Sequence, residues 1–157
     1  MFFALWAERA RGCHGREVVK LETRLAALGE QLTQRELKHR EALADARECA
    51  DGLHRQVEEG LAGFHASVEE AAPHLRIALG EPRVDDKHLH SVQFELARGR
   101  YRAIVTVKSR GEITLVGPFR DGKTEGPCRT FPMPAGDAVA EALEEFLVAF
   151  IEEAATP

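Results

Sequence analysis

Residues 16–72 read REVVKLETRLAALGEQLTQRELKHREALADARECADGLHRQVEEGLAGFHASVEEAA and contain no proline. Apolar side chains recur in this stretch at steps of three and four residues. That is the a and d rhythm of a coiled coil, in which one narrow stripe faces a partner helix. Because proline breaks helices, its absence before Pro73 allows one helix to run through the whole stretch. The sequence therefore predicts a long helix over 16–72 with a self-association seam.

The predicted seam consists of Val18, Leu21, Leu25, Leu28, Leu32, Leu43, Leu53, Val57, Leu61 and Phe64. Arg35 and His39 interrupt the seam with polar side chains, and extra steps of four residues act as stutters that locally unwind a supercoil. Gly52, Gly60 and Gly63 each cost about 1 kcal/mol relative to alanine in a helix interior, which leaves open a break near Gly60. Such a stripe must be buried, and the expected cover is a second copy of the chain, packed parallel or antiparallel.

The length and composition of the chain fit one domain plus an extension. The 157 residues carry a net charge of −5 and are 30% charged, and 85 residues remain after the helix for a modest core. Cys13, Cys49 and Cys128 lie far apart, which favours a reducing compartment over a disulfide framework. The sequence contains no apolar run near the length of about 18 residues that a membrane span requires. We therefore expect a cytoplasmic protein without a membrane span.

The first 15 residues form a separate, short apolar segment in this interpretation. They include Phe2, Phe3 and Trp6, and Gly12 and Gly15 separate them from the long helix. Arginines follow the apolar residues rather than precede them, and the apolar run is too short for a signal peptide. The three aromatic residues are candidate partner-binding residues, with internal packing as the alternative.

Residues 73–157 predict a small α+β domain. Period-two alternation over 90–131 indicates an antiparallel meander of three to four strands, with a hairpin signal at Asp121 and Gly122. Residues 136–154 predict a helix that covers the apolar face of this sheet and keeps its glutamates in water. The expected apolar stripe of this helix is Val139, Leu143, Phe146, Leu147 and Phe150. The predicted fold class is α+β: a long coiled-coil helix, a meander and a closing helix.

One cluster of side chains could carry metal chemistry. His54, Glu58, His65 and Glu69 fall on one helix face, where imidazoles and carboxylates four residues apart can share a divalent ion. The alternative is a solvated flank with weak pairing along the helix. The sequence has no glycine-rich phosphate loop, nucleophile elbow or zincin helix, so we assign no catalytic residue, no metal ligand and no cofactor.

The charge distribution points to a protein partner. Eight basic and three acidic residues lie between Arg98 and Phe131, and Arg100, Arg102 and Lys108 are candidate partner-binding residues on these strands. Single-strand binders interleave aromatic rings with such charges, but the strand of Arg102 and Lys108 carries only Tyr101, which belongs to its opposite face. Nucleic-acid binding through Arg100 and Arg102 is therefore the less favoured alternative.

These observations combine into one hypothesis. We expect a non-catalytic, cytoplasmic, bacterial homodimer that acts as an adaptor or scaffold and presents its C-terminal domain to an unidentified protein partner. A nucleic-acid-associated protein and a metal-binding enzyme or sensor are the alternatives.

Overall fold

A single helix forms the first part of the chain. The computed structural model describes residues 2–85, 87, 90–123, 126–133 and 136–156, with side chains described from Lys20 onward. Helix α1 runs without interruption over Phe2–Val68 and is followed by a short 3-10 turn, Pro73–Leu75. The residues set apart as a separate segment, 1–15, therefore belong to the helix from Phe2 onward. Glycine costs a helix about 1 kcal/mol without breaking it, so α1 also continues past Gly60.

Residue contacts divide the chain into two compact units, Met1–Arg40 and Glu41–Pro157. We call these the arm and the head. The head thus begins inside α1 rather than at Pro73, where the sequence pattern places the start of the C-terminal domain. The reason is that the second part of α1 supplies core residues: the side chains of Ala46, Ala50 and Val57 are completely buried in the head.

The head contains one antiparallel sheet. Its strands are β1 (Ala78–Leu79), β2 (Arg83–Val84), β3 (Ser91–Arg98), β4 (Tyr101–Lys108), β5 (Glu112–Arg120) and β6 (Cys128–Pro132). The last four strands form the predicted meander in the order β3-β4-β5-β6. The two-residue strands β1 and β2 both pair with β3 and extend the sheet beyond the predicted three to four strands.

One face of the sheet is apolar because the strands alternate with period two. Phe94 lies opposite Val105, which lies opposite Leu115 on the next strand, and all three side chains are buried. Val92 and Val107 form the neighbouring buried pair. The predicted alternation is confirmed, and it gives the sheet a face that helices must cover.

Helix α2 (Gly136–Ala155) covers part of that face, as predicted. Its buried residues include Val139, Leu143, Phe146 and Phe150, whereas Leu147 is only partly buried. A Cβ atom on Gly60 of α1 would lie 3.9 Å from the Leu147 Cδ1 atom, so the glycine marks a place where the two helices of the head lie close together. The glutamates of α2 are exposed.

The second part of α1 covers the rest of the apolar face. Leu53, Val57 and Leu61 are buried in the same core cluster as the strands, and Leu43 and Phe64 pack against it. The spacing assigns these five residues to a seam with another chain, and here that prediction is wrong: the cover is the chain's own sheet. A helix packed on a sheet and a helix packed on a helix both require apolar residues at steps of three and four, so the spacing alone could not distinguish them.

Two strands approach each other closely at an irregularity in the middle of the sheet. The pairing of β4 and β5 shifts register between Arg102 and Ile104, opposite Gly117. Gly117 has φ +126°, and a Cβ atom there would lie 2.9 Å from the Ala103 Cα atom. Only glycine fits this position, because any side chain would contact the neighbouring strand.

Candidate functional site

The most exposed apolar feature of the described chain is a row of leucines on the arm. They are Leu21, Leu25, Leu28 and Leu32, which we call the leucine stripe, with exposed fractions of 56, 56, 48 and 52%. Their spacing of four, three and four residues places them on one face of α1. Each side chain therefore leaves about half of its apolar surface in water, and together they form a continuous patch rather than scattered single residues.

The stripe ends where the helix enters the head. Arg35 and His39 follow Leu32 at the same spacing, and both are polar. Ala42, Ala46 and Leu53 continue the rhythm, but Ala46 and Leu53 are buried by the head. Of the predicted seam, only the leucine stripe is thus available to another chain among the described side chains.

Four predicted residues lie outside the described side chains. These are Phe2, Phe3 and Trp6 of the predicted partner-binding segment and Val18 of the seam. Their backbone is helical, and their roles stay predictions.

The predicted basic surface is largely neutralised by the head's own acids. The Arg102 Nε atom lies 2.9 Å from a Glu95 carboxylate oxygen, and one of its terminal nitrogens lies 3.2 Å from Asp121. Arg102 also donates hydrogen bonds to the carbonyl oxygens of Gly99 and Tyr101. Its charge and its donors are therefore used within the head, so the structure does not present Arg102 as a free contact for phosphate.

Lys108 is paired in the same way. Its ammonium group and the Arg110 guanidinium both contact the Glu112 carboxylate. The hydrogen bonds from Lys108 and Arg110 lower the pKa of Glu112 below its usual value. Arg100 lies in the exposed turn between β3 and β4, apart from this group, so the structure does not combine Arg100, Arg102 and Lys108 into one basic site.

The two histidines of the metal-binding alternative, His54 and His65, bind the main chain. His54 donates from Nε2 to the Gly80 carbonyl oxygen at 3.1 Å, and its ring meets Phe94 edge to face. The His65 Nε2 atom accepts the Ile77 N–H at 3.0 Å. Among the described residues, no group of three or more histidine, cysteine or acidic side chains is arranged to bind a metal ion. The spacing places both histidines on one face of α1, but it does not show that their ring nitrogens bind main-chain atoms of the segment after the helix.

Strand β6 forms an open edge of the sheet. The Gly117 N–H donates to the Pro127 carbonyl oxygen, and the Met133 N–H donates to the Gly111 carbonyl oxygen. These bonds lie at the two ends of the β5-β6 ladder and show which residue pairs within it are hydrogen-bonded. Because antiparallel ladders alternate, Arg129 and Phe131 bond to β5, whereas the main-chain groups of Cys128 and Thr130 point away from it. Within the described part of the chain, β6 pairs with no strand on that outer side. The predicted meander makes its last strand a candidate edge, but the sequence does not show that the outer side of that strand stays unpaired, because this depends on the fold.

The outer face of the sheet carries a depression lined by polar residues, which no sequence pattern predicted. It encloses about 690 Å³, and its lining includes Gln93, Thr106, Lys108 and Thr114. The Thr114 side-chain oxygen is buried without a hydrogen-bond partner among the described residues. Alternation predicts that such residues share a face, but not how far neighbouring strands cover them.

Two cysteines have described side chains, Cys49 and Cys128, and both are free thiols. Burial raises the pKa of Cys49, which makes its thiol less reactive. In the residues described, no helix has both the length and the apolar character required to span a membrane.

Comparison with known proteins adds no family: a scan against protein-family models, a search of curated proteins and a search of solved structures each gave no significant match.

Proposed function

We propose that this protein is a non-catalytic adaptor that self-associates through the leucine stripe of its arm and presents its head to a protein partner. The observation that carries the proposal is the contrast within α1. Leucines of the same rhythm are about half exposed in the arm and buried in the head. An exposed helix face that carries apolar residues at regular spacing is typical of an interface.

The expected association is reversible. Fully burying a leucine contributes about 1.5–3 kcal/mol, so covering the exposed half of each stripe residue contributes about 1 kcal/mol. Summed over both copies, this gain is of the same order as the loss of translational and rotational freedom, which is about 4–15 kcal/mol. We therefore expect a dimer that dissociates on dilution rather than a permanent one.

The edge of β6 is the part of the head best suited to a protein partner. Cys128 and Thr130 offer outward main-chain donors and acceptors, and both residues are exposed. An extended peptide can add to such an edge as a further strand. In this proposal, dimerisation through the arm brings two heads together, and the β6 edge of each head binds the partner.

The internal ion pairs of Arg102 and Lys108 do not favour the nucleic-acid alternative, because a phosphate would have to compete with Glu95, Asp121 and Glu112. We also infer a reducing, cytoplasmic location from the free thiols of Cys49 and Cys128.

The test is the molar mass of the full chain in solution, measured by light scattering over a range of concentrations. The wild-type chain is expected to approach the mass of a dimer, and the double variant Leu25→Asp/Leu28→Asp to remain a monomer. Leu37→Asp is the matched control, because Leu37 is a similarly exposed leucine of the arm outside the stripe. A wild-type chain that stays monomeric at high concentration would remove the proposal.

A further inference from the structure

We infer that two arms pair antiparallel, in a register that places Leu25 of one copy against Leu28 of the other. This inference rests on the proposed self-association and adds its geometry. In heptad notation Val18, Leu25 and Leu32 are a positions, and Leu21 and Leu28 are d positions. Val18 and Glu17 have no described side chains and enter the argument only by their place in the sequence.

The apolar layers fit this register. In an antiparallel pair, each a position packs against a d position of the second helix. Leu25 then meets Leu28, and Leu21 meets Leu32, so the two copies form four leucine layers around a twofold axis between residues 26 and 27. The arrangement is self-complementary, as a closed dimer requires.

Arg35 decides between the two orientations. Arg35 follows the stripe at the next d position and is exposed. A parallel, in-register pair would place Arg35 against Arg35, two like charges inside the seam, where their repulsion is screened less than in water. The antiparallel register places the two Arg35 residues at opposite ends of the paired segment, about 25 Å apart, where each guanidinium can extend into water.

The flanking charges favour the same orientation. The g positions are Glu17, Arg24, Gln31 and Lys38. In the antiparallel register, g positions of the two copies face each other, so Glu17 meets Lys38 and Arg24 meets Gln31. In the parallel pair, g faces the e position of the next heptad, and Glu17 meets Glu22. Like charges at these positions disfavour a pairing, and opposite charges favour it.

The head sets the length of the paired segment. Ala46 and Leu53, the two a positions that follow His39, are buried in the head, so the rhythm is available to another chain only up to about His39. In the proposed register, residue 40 of one copy lies opposite residue 13 of the other. The paired segment, 13–40, therefore ends where the arm ends.

Disulfide trapping tests the orientation on the full chain with Cys13, Cys49 and Cys128 replaced by alanine. Two single variants are prepared, Val18→Cys and Arg35→Cys, and oxidised separately and as a mixture. Antiparallel pairing predicts a cross-linked species only in the mixture, because residue 35 lies about 25 Å from residue 35 of the second copy at 1.5 Å rise per residue. Glu30→Cys is the control, because residue 30 lies on the outer helix face. This variant should give no cross-linked species, either alone or in a mixture with the other two.

A second measurement does not depend on disulfide formation. A spin label on Leu37→Cys should report a separation of about 30 Å or more between copies in the antiparallel pair, and about half of that in a parallel pair. Cross-linking of Arg35→Cys with itself, together with the short distance, would overturn the orientation and leave self-association standing. A monomeric mass for the wild-type chain would overturn both.

Discussion

The imidazole of His65, near the end of α1, accepts a hydrogen bond from the main-chain N–H of Ile77 at 3.0 Å. Eleven residues earlier on the same helix, His54 donates to the Gly80 carbonyl oxygen. These two bonds attach the residues on either side of β1 to the helix. The histidines are therefore structural groups of the head, and each of them binds a main-chain atom beside β1.

Stability of the head should depend on the protonation of His65. Burial, and to a smaller extent the positive charge of Arg76, lower the pKa of His65 below its usual 6.5. A group with a lowered folded pKa contributes its full stability above 6.5, and that contribution decreases as the pH falls below 6.5. Urea unfolding between pH 8 and pH 5 should show the free energy of unfolding decreasing below about 6.5.

His65→Gln should remove this pH dependence, since glutamine can accept the Ile77 N–H but does not titrate. His74→Gln is the control, because His74 is an exposed histidine nearby whose main-chain oxygen, not its ring, is used by Arg98. An unchanged pH slope in His65→Gln would contradict the assignment.

Two leucines on the same helix should respond differently to truncation. Leu61→Ala removes a side chain that is 3% exposed in the head core, and we expect it to lower the free energy of unfolding by about 3 kcal/mol. Leu32→Ala removes a half-exposed side chain and should change it by less than about 0.5 kcal/mol at concentrations where the chain is monomeric. Denaturant unfolding of dilute samples measures both; equal effects would contradict the division of α1.

The close approach at Gly117 predicts a large effect from a single methyl group. Gly117→Ala combines an unfavourable φ with a contact of 2.9 Å to Ala103, and we expect a loss of about 3 kcal/mol. Gly122→Ala also has a positive φ, +85°, but open space around the new Cβ atom, and should cost about 1 kcal/mol. Thermal unfolding of the two variants compares them, and a Gly117→Ala protein as stable as Gly122→Ala would disprove the steric argument.

Arg102 should contribute to stability rather than to ligand binding. Arg102→Ala removes two ion pairs and two hydrogen bonds to carbonyl oxygens, and we expect it to cost about 1 kcal/mol, since Glu95 and Asp121 can regain water. Arg100→Ala, in the exposed turn, should change stability by less than about 0.5 kcal/mol. Strong, salt-dependent binding of RNA or DNA that disappears in Arg102→Ala would reverse this assignment.

The elements with strong periodicity could be predicted from the sequence. The alternation of Val92, Phe94 and Leu96 identifies a strand, and the spacing of Val139, Leu143 and Phe146 identifies the closing helix. Strands β1 and β2 were missed because two residues cannot show a period. Their pairing depends on β3 being present as a template, which is a tertiary effect.

The site was only partly predictable for a different reason. Periodicity shows that a face is apolar, but it does not show what covers that face. Leu28 and Val57 both belong to the apolar rhythm of α1, yet Val57 is buried by the head and Leu28 is about half exposed. The sequence likewise does not show the partners of Arg102, which are Glu95 on β3 and Asp121 in the turn after β5.

The central claim is that α1 serves two purposes, an interface in the arm and a core element in the head. Amide hydrogen exchange of the full chain at high and low protein concentration tests it most directly. We predict that residues 20–39 lose protection on dilution, as the dimer dissociates, whereas residues 46–61 keep theirs. Protection of residues 20–39 that does not change with concentration, or loss of protection in residues 46–61 on dilution, would contradict the claim.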